Sequence, residues 1–348
     1  MDASPPIIRK LPPMPQVRLK NGLVISRLIN GMWQVSGAHG DIDPNKAVNA
    51  MHKYCEAGYT TFDMADIYGP AEIIFGNFIK NRHSFHPKNS VQAFTKMVPS
   101  AGPMTRNVVE SAITKSMLRM QVKQLDGLQF HWWDYKDKRY LDALQHLSDL
   151  QRIGKIRELS LTNFDTARLE EITSKGIEIS TNQVQYSIID QRPSQRMSKF
   201  CRMNGIKLLT YGTLCGGLLT DDYLGQPEPR GRKDLYTASL WKYKQMIDAW
   251  GGWKLFQELL STLRDIADQH NVQIANVATR WVLDDPVVGG VIIGCRFGVL
   301  GANHAVENLQ SVDYDWCLTE QNRSMIAKIT SRSNDLLKSI GGCGDEYR

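Results

Sequence analysis

Four ionisable side chains, Asp63, Tyr68, Lys96 and His131, fall at or just beyond the ends of short apolar runs. Asp63 and Tyr68 lie in FDMADIYG (62–69), Lys96 ends VQAFTK (91–96), and His131 ends LDGLQFH (125–131). A carboxylate, a phenol, an ammonium and an imidazole gathered in one place can deliver a proton. A carbonyl carbon that accepts a hydride needs such a proton on its oxygen. A free phenol, with a pKa of about 10, is a reluctant acid at neutral pH. An adjacent ammonium stabilises the phenolate and lowers that value, and a carboxylate keeps the ammonium charged and in place. A neutral imidazole N–H can orient and polarise the carbonyl oxygen. Tyr68, Lys96, Asp63 and His131 fill these roles in that order. Each also has a plainer reading. Asp63 and Lys96 could form a structural ion pair, Tyr68 could pack a loop, and His131 could be a satisfied core residue. Their placement at three successive strand ends favours the chemistry.

The surrounding sequence supplies elements that could hold them. QVRLKNGLVIS (16–26) reads as a β-hairpin, because alternating segments flank Asn21-Gly22, a strong turn signal. After it, strand and helix patterns alternate. Strands are expected at 27–33, 60–63, 91–96, 125–131, 156–161, 180–184, 206–211 and 287–293. Helices are expected at 45–58, 71–81, 104–120, 139–152, from Asp165, at 193–204, at 253–270, at 273–284, near 302–310 and near 320–340. The strands are short and apolar without strict alternation, as buried parallel strands are. Eight repeats favour a closed (β/α)8 barrel, a TIM barrel, over an open sheet. Such barrels carry their chemistry at the C-terminal ends of the strands. Residues 212–239, with several Gly and Pro, read as a long irregular loop over that mouth. The domain expectation is an irregular arm at 1–15, one barrel domain at 16–340 with its hairpin and extra loops and helices, and a polar tail at 341–348.

Composition excludes some classes. A net charge of +6 with 22% charged residues is mildly basic, and no Lys/Arg block marks a nucleic-acid face. Six scattered cysteines without a C-x-x-C pair fit reduced thiols in a cytoplasmic setting. No apolar run reaches the ~18 residues that span a bilayer, and the N-terminus lacks the h-region of a secretory signal. No G-x-G-x-x-G or P-loop occurs, which argues against the open-sheet nucleotide folds. The expected partner is a small carbonyl compound, with no nucleic acid, no membrane and no metal. Oligomeric state is not legible.

With these motifs in place, the chain resembles the aldo-keto reductase superfamily from the hairpin near residue 16 to about residue 310. The anchors are GYTTFDMADIYG (58–69), VQAFTK, LDGLQFHW (125–132), GKIRELSLTNF (154–164), TNQVQYS (181–187), LTYGTLCGGLLT (209–220) and IGCR…ENL (293–309). The resemblance implies an oxidoreductase that reduces an aldehyde or ketone with NADPH, with NADH as the alternative. It makes Tyr68 the proton donor, Lys96 and Asp63 its tuning pair, and His131 the carbonyl-orienting residue. Thr162, Asn163 and Gln183 match residues that hold the nicotinamide carboxamide, and Tyr211 matches the ring stacked under the nicotinamide. Gly31, Trp33 and Asp63 border the same end. Gly212, Leu214, Gly217 and Leu218 belong to the pyrophosphate loop. Gly294, Arg296, His304, Glu307 and Asn308 match the segment around the adenosine half, with Arg296 as partner for a 2′-phosphate. The plainer alternatives are that Thr162-Asn163 cap a helix, that Gln183 satisfies buried backbone, and that Arg296 is an exposed charge. Met64 departs from the small residue or Thr usual beside Asp63, and the segment after Gly294 is longer than usual. Trp33, Trp132, Trp133 and Tyr223 are candidates to line an apolar substrate pocket, with rim packing as the alternative. Two other readings stay open: a cofactor-binding regulatory subunit of the same fold, and an alcohol dehydrogenase working mainly in the oxidative direction.

Overall fold

A strand buried on both faces needs apolar side chains on both, and the runs predicted as strands have that composition. The computed structural model describes residues 12–37, 39–40, 42–85, 91–299 and 301–347; most of the expected N-terminal arm, residues 1–11, therefore lies outside the described residues. An antiparallel hairpin, β1 (Gln16–Arg18) and β2 (Val24–Ser26), comes first. Eight parallel strands then close into a barrel. They are β3 (Leu28–Gly31), β4 (Thr61–Asp63), β5 (Gln92–Met97), β6 (Leu125–Phe130), β7 (Ile156–Thr162), β8 (Thr181–Gln185), β9 (Lys207–Tyr211) and β10 (Val288–Gly294). Each strand pairs with the next in sequence, and β10 closes the ring on β3.

Helices alternate with the strands and start where the sequence offers caps. They are α1 (Pro44–Glu56), α2 (Ala71–Phe85), α3 (Arg106–Met120), α4 (Tyr140–Arg152) and α5 (Thr166–Ser174). Asp43 accepts from the amides of Asn45 and Lys46 with Pro44 in the first turn, Thr105 accepts from Val108, and Asp165 from Arg168. The helix expected at 193–204 is two pieces, α6 (Arg192–Gln195) and α7 (Met197–Met203), broken at Arg196. Residues 212–239 are not irregular throughout. They contain tight turns at Cys215–Gly217 and Asp221–Tyr223 and a short α8 (Gly231–Asp234), and a new helix α9 (Ala238–Trp250) begins within them. This helix buries Leu240, Tyr243, Met246, Ile247 and Trp250, a helical spacing present in the sequence but masked by the Gly and Pro before it. α10 (Gly252–His270) and α11 (Ile274–Leu283) follow.

After the last strand come α12 (Ala305–Leu309), α13 (Glu320–Thr330) and α14 (Leu336–Ser339). The single helix expected near 320–340 stops at Thr330, where the hydroxyls of Thr330, Ser331 and Ser333 turn back onto nearby carbonyls.

The main apolar core lies between the barrel and its helices. A second cluster joins α9, α10 and α11 to the loop after β9. A third plugs the barrel end opposite the chemistry, with Leu19, Leu23 and Ile25 of the hairpin against Ile29, Phe94 and Leu209. The buried Glu158 carboxylate pins that plug. It accepts from the Asn21 amide at 3.0 Å, the Leu23 amide at 3.1 Å and Ser180 Oγ at 2.6 Å. Among the described residues, no helix is long and apolar enough to cross a membrane.

Candidate active site

Adjacent parallel strands fix the site. Register sets Asp63 beside Phe94, and Lys96 beside Gln129. The ladder continues past the strand ends: the Met64 amide donates to Phe94 O, Asp66 to Lys96 O, and His131 to Met97 O. Asp63, Lys96 and His131 thus meet at one rim, and the turn after β4 brings Tyr68 over them.

Lys96 Nζ donates to Asp63 Oδ2 at 2.6 Å and to the Met64 carbonyl at 3.0 Å. It lies 4.9 Å from the centre of the Tyr68 ring, where its charge favours the phenolate. Both charges of the pair are buried. Met64 is fully buried beneath them, and it contributes its carbonyl to Lys96 rather than a side-chain contact in the cleft. Burial works to lower the Lys96 pKa, but Asp63 and then Tyr68 raise it further, so the ammonium is held charged. For Tyr68 the balance runs against the sequence expectation of a lowered pKa. Burial raises it, Lys96 pulls it back, Asp63 raises it again, and the net direction is upward. The phenol therefore keeps its proton at neutral pH.

Asp63 Oδ1 accepts two further bonds, from Gln129 Nε2 at 2.6 Å and Gln183 Nε2 at 2.7 Å. Gln183 Nε2 also donates to Gln129 Oε1 at 2.6 Å. A carboxylate can only accept, so it dictates which way both amides point. Gln129 was not among the sequence candidates. Its signal was available: it is a polar residue in an apolar strand, two positions before His131 and hence on the same face.

His131 Nδ1 lies 3.3 Å from the Thr162 carbonyl. The contact ties the imidazole to the end of the next strand. The Trp133 ring stands edge-on at 4.4 Å, and Trp133 is half exposed to the mouth. Trp33 is partly buried and makes a similar edge contact with His39. The other two aromatic candidates turn elsewhere. Trp132 is buried beside Phe130 and Tyr140 and donates to the carbonyls of Asp134 and Asp137. Tyr223 packs edge-on against Trp253 in the cluster of the long excursion.

The residues matched to a nicotinamide lie on the next three strands. Asp165, not Thr162 or Asn163, caps α5. The Thr162 hydroxyl donates to Gln183 O at 3.4 Å, and Asn163 holds a left-handed φ of 61°, which Asn tolerates better than most residues. Tyr211 Oη is 2.8 Å from Asn163 Oδ1. Beyond Tyr211, the loop from Gly212 to Leu218 is shaped by close approach. A Cβ on Gly212 would come within 2.3 Å of the Tyr243 hydroxyl of α9. Gly217 has φ +108° and open space where a Cβ would stand, while its amide donates to Leu214 O at 2.9 Å and its carbonyl accepts from Thr220 Oγ1 at 2.8 Å. Leu218 is buried and Leu214 packs onto the second cluster, so neither side chain faces the cleft.

At the far end, Gly31 and Gly294 finish the paired strands β3 and β10. Arg296 is no free surface charge. Its Nη2 donates to His39 O at 2.9 Å, and His39 Nε2 lies 2.9 Å from Ser239 Oγ of α9. Burial and Arg296 both lower the His39 pKa. Arg296 Nε is buried without a partner, a guanidinium donor suited to an added anion. His304 is exposed just before α12, while Asn308 is buried within it and Glu307 half-buried. The open turn at Gly217, the guanidinium of Arg296 and the aromatic Tyr211 suit a ligand that carries both a ring and negative charge.

A family model described as "Aldo/keto reductase family" matches residues 27–330. Among curated proteins, the chain is 28% identical over 262 residues to flagellar radial spoke protein 5 of Chlamydomonas reinhardtii, covering 63% of this chain and 49% of that protein. It thus spans about half the length of that relative. It is 26% identical over 282 residues to a chloroplastic pyridoxal reductase of Arabidopsis thaliana, covering 77% and 72%. Among solved structures, a glycerol dehydrogenase from Gluconobacter oxydans superposes with a TM-score of 0.75 at 21% identity, covering 94% of this chain and 96% of the other; this likeness is one of fold. The family-model match, which spans all eight barrel strands, places the chain in the aldo/keto reductase family, whose members are oxidoreductases that generally use nicotinamide cofactors.

Proposed function

We propose that this protein reduces an aldehyde or ketone to the alcohol, taking hydride from NADPH (NADH being the alternative) and the proton from Tyr68. The observation that carries the reading is the buried line Tyr68–Lys96–Asp63 at the barrel mouth. A reduced nicotinamide, when bound, supplies the hydride. Thr162, Asn163 and Gln183 would hold its carboxamide and Tyr211 its ring, with Gly31, Trp33 and Asp63 at the same end. Gly212, Leu214, Gly217 and Leu218 would line the pyrophosphate with backbone. Gly294, Arg296, His304, Glu307 and Asn308 would surround the adenosine half.

The chain's own part is proton management. As negative charge grows on the carbonyl oxygen, that oxygen becomes a far stronger base than a phenolate. Tyr68 therefore gives up its proton even though burial has raised its pKa. Lys96 then steadies the phenolate left behind, and Asp63 keeps Lys96 charged. His131 orients the oxygen, and Trp133 and Trp33 form apolar walls that suit an aromatic or alkyl carbonyl compound. Trp132 and Tyr223 are not part of this pocket.

The test is NADPH oxidation with a panel of aliphatic and aromatic aldehydes and ketones. Turnover of part of the panel is expected. Tight dinucleotide binding without turnover on any member would favour the second reading, a cofactor-binding subunit, for which the resemblance to a protein named for the flagellar radial spoke is the specific support. In the same assay Arg296→Ala should weaken NADP(H) at least about tenfold more than NAD(H), because a guanidinium grips a phosphate in a fork. Equal losses would mean the 2′-phosphate is held elsewhere.

A further inference from the structure

Residues 341–348 read as a polar tail in the sequence, yet Cys343 is buried in the main core and the Glu346 side chain is only 5% exposed. Arg192, itself buried, anchors the segment. Its guanidinium donates to Gly342 O at 2.9 Å and pairs with Glu346 Oε2 at 3.0 Å. The other Glu346 oxygen lies 3.3 Å from Tyr211 Oη, and Tyr347 lies close enough to help raise the Tyr211 pKa. A tight turn at Asp345–Tyr347 sets these two side chains side by side.

Lys242 of α9 completes the cluster. Its ammonium lies 4.1 Å from the centre of the Tyr347 ring, 5.2 Å from that of Tyr243 and 5.3 Å from that of Tyr211, and it hydrogen-bonds the Tyr347 hydroxyl. Tyr243 is the ring against Gly212 in the expected pyrophosphate loop. Lys242 therefore stands where the expected nicotinamide platform and the expected phosphate loop meet.

We propose that residues 341–347 compete with the nicotinamide end of the dinucleotide for Tyr211, and that their displacement frees Lys242 to hold a cofactor phosphate. This rests on the dinucleotide reading above. Tyr211 cannot keep Glu346 and Tyr347 at its hydroxyl edge, with Lys242 over its ring, and also receive a second ring and its carboxamide. The exchange is balanced in charge: Lys242 leaves an aromatic cage for a phosphate, and Arg192 keeps its two-pronged bond to Asp190, at 2.8 Å on each side, when Glu346 leaves. A site open for only a fraction of the time binds its ligand more weakly by that fraction.

The experiment measures NADPH and NADH affinity by fluorescence titration, for the full chain, for a chain ended at Ile340, and for the double variant Glu346→Gln/Tyr347→Ala. The double variant keeps the buried Cys343 and serves if the shortened chain folds poorly. Both variants should bind about tenfold or more tightly than the full chain. Adding Lys242→Met to the double variant should reverse much of that gain and flatten the salt dependence of binding. Saturating NADPH should also raise hydrogen exchange in residues 341–347 of the full chain. Affinity that is unchanged or weaker in both variants, or exchange in the segment that does not rise, overturns the proposal while leaving the dinucleotide reading intact. No dinucleotide binding by any of the three chains overturns both.

Discussion

At the scale of single residues, the site depends on which atom of Asp63 faces which neighbour. One oxygen serves Lys96, and the other is committed to two amides, from Gln129 and Gln183. Gln129 acts through Asp63, so it is a positioning residue rather than a participant. Gln129→Leu removes one donor to the carboxylate and the acceptor of the Gln183 amide. Polar groups are then left buried and unpaired, which costs about 1–3 kcal/mol. The expected result is a kcat lowered by roughly tenfold, from a loosened Lys96, together with a shifted basic limb in the pH profile. A purely structural residue would lower thermal stability and leave the pH profile of the folded enzyme alone. An unchanged profile in the folded variant would remove Gln129 from the account. The tetrad itself was legible because charged side chains at successive strand ends are conspicuous against apolar runs. The direction of the Tyr68 pKa was not, because burial outweighs Lys96 and burial is set by the packing of the whole mouth. The partner atom of His131, the Thr162 carbonyl on the next strand, was hidden for a similar reason.

At the scale of elements, strands and the helices between them were readable because each has a simple period and a cap. Asp165 was expected as a cap and is one. The misses share a physical cause. α9 follows a stretch of Gly and Pro that conceals its start, and the break at Arg196 and the stop at Thr330 depend on tertiary contacts and local side-chain bonds. The hairpin plug gives a direct test at this scale. Glu158 is one buried carboxylate satisfying donors from two segments, Asn21–Leu23 and Ser180. Glu158→Ala strands those donors and should cost about 2–4 kcal/mol in urea denaturation. Activity at low temperature should survive, since the plug sits at the end of the barrel away from Tyr68. A loss below about 0.5 kcal/mol would show that the apolar contacts of Leu19, Leu23 and Ile25 hold the hairpin unaided.

At the scale of the whole molecule, the barrel confines reactive groups to its mouth and keeps the rest inert. Of six free cysteines, five are buried and Cys317 is exposed. Burial pushes the thiols of Cys201, Cys215 and Cys295 up to about 12, so the thiolate, which is the reactive form, is scarce there at neutral pH. Iodoacetamide on the native protein should therefore label Cys317 first. Early labelling of Cys343 would mean that residues 341–347 leave the core readily even without dinucleotide. The closed barrel and its order were readable from eight repeats of strand and helix. The way residues 341–347 fold back onto Tyr211 was not, because it joins residues more than a hundred positions apart through Arg192, which gives no local sign of its partner.

The central claim is that a phenol held beside a charged lysine delivers the proton. The most direct measurement is kcat and dinucleotide affinity for Tyr68→Phe across pH. The wild-type protein should hold a flat kcat for reduction through neutral pH, falling only as the phenol ionises above its ordinary range, because burial keeps the proton on Tyr68. Tyr68→Phe should lose roughly 10²–10⁴-fold in kcat while binding NADPH within about threefold of wild type. A variant that turns over at the wild-type rate would contradict the account outright.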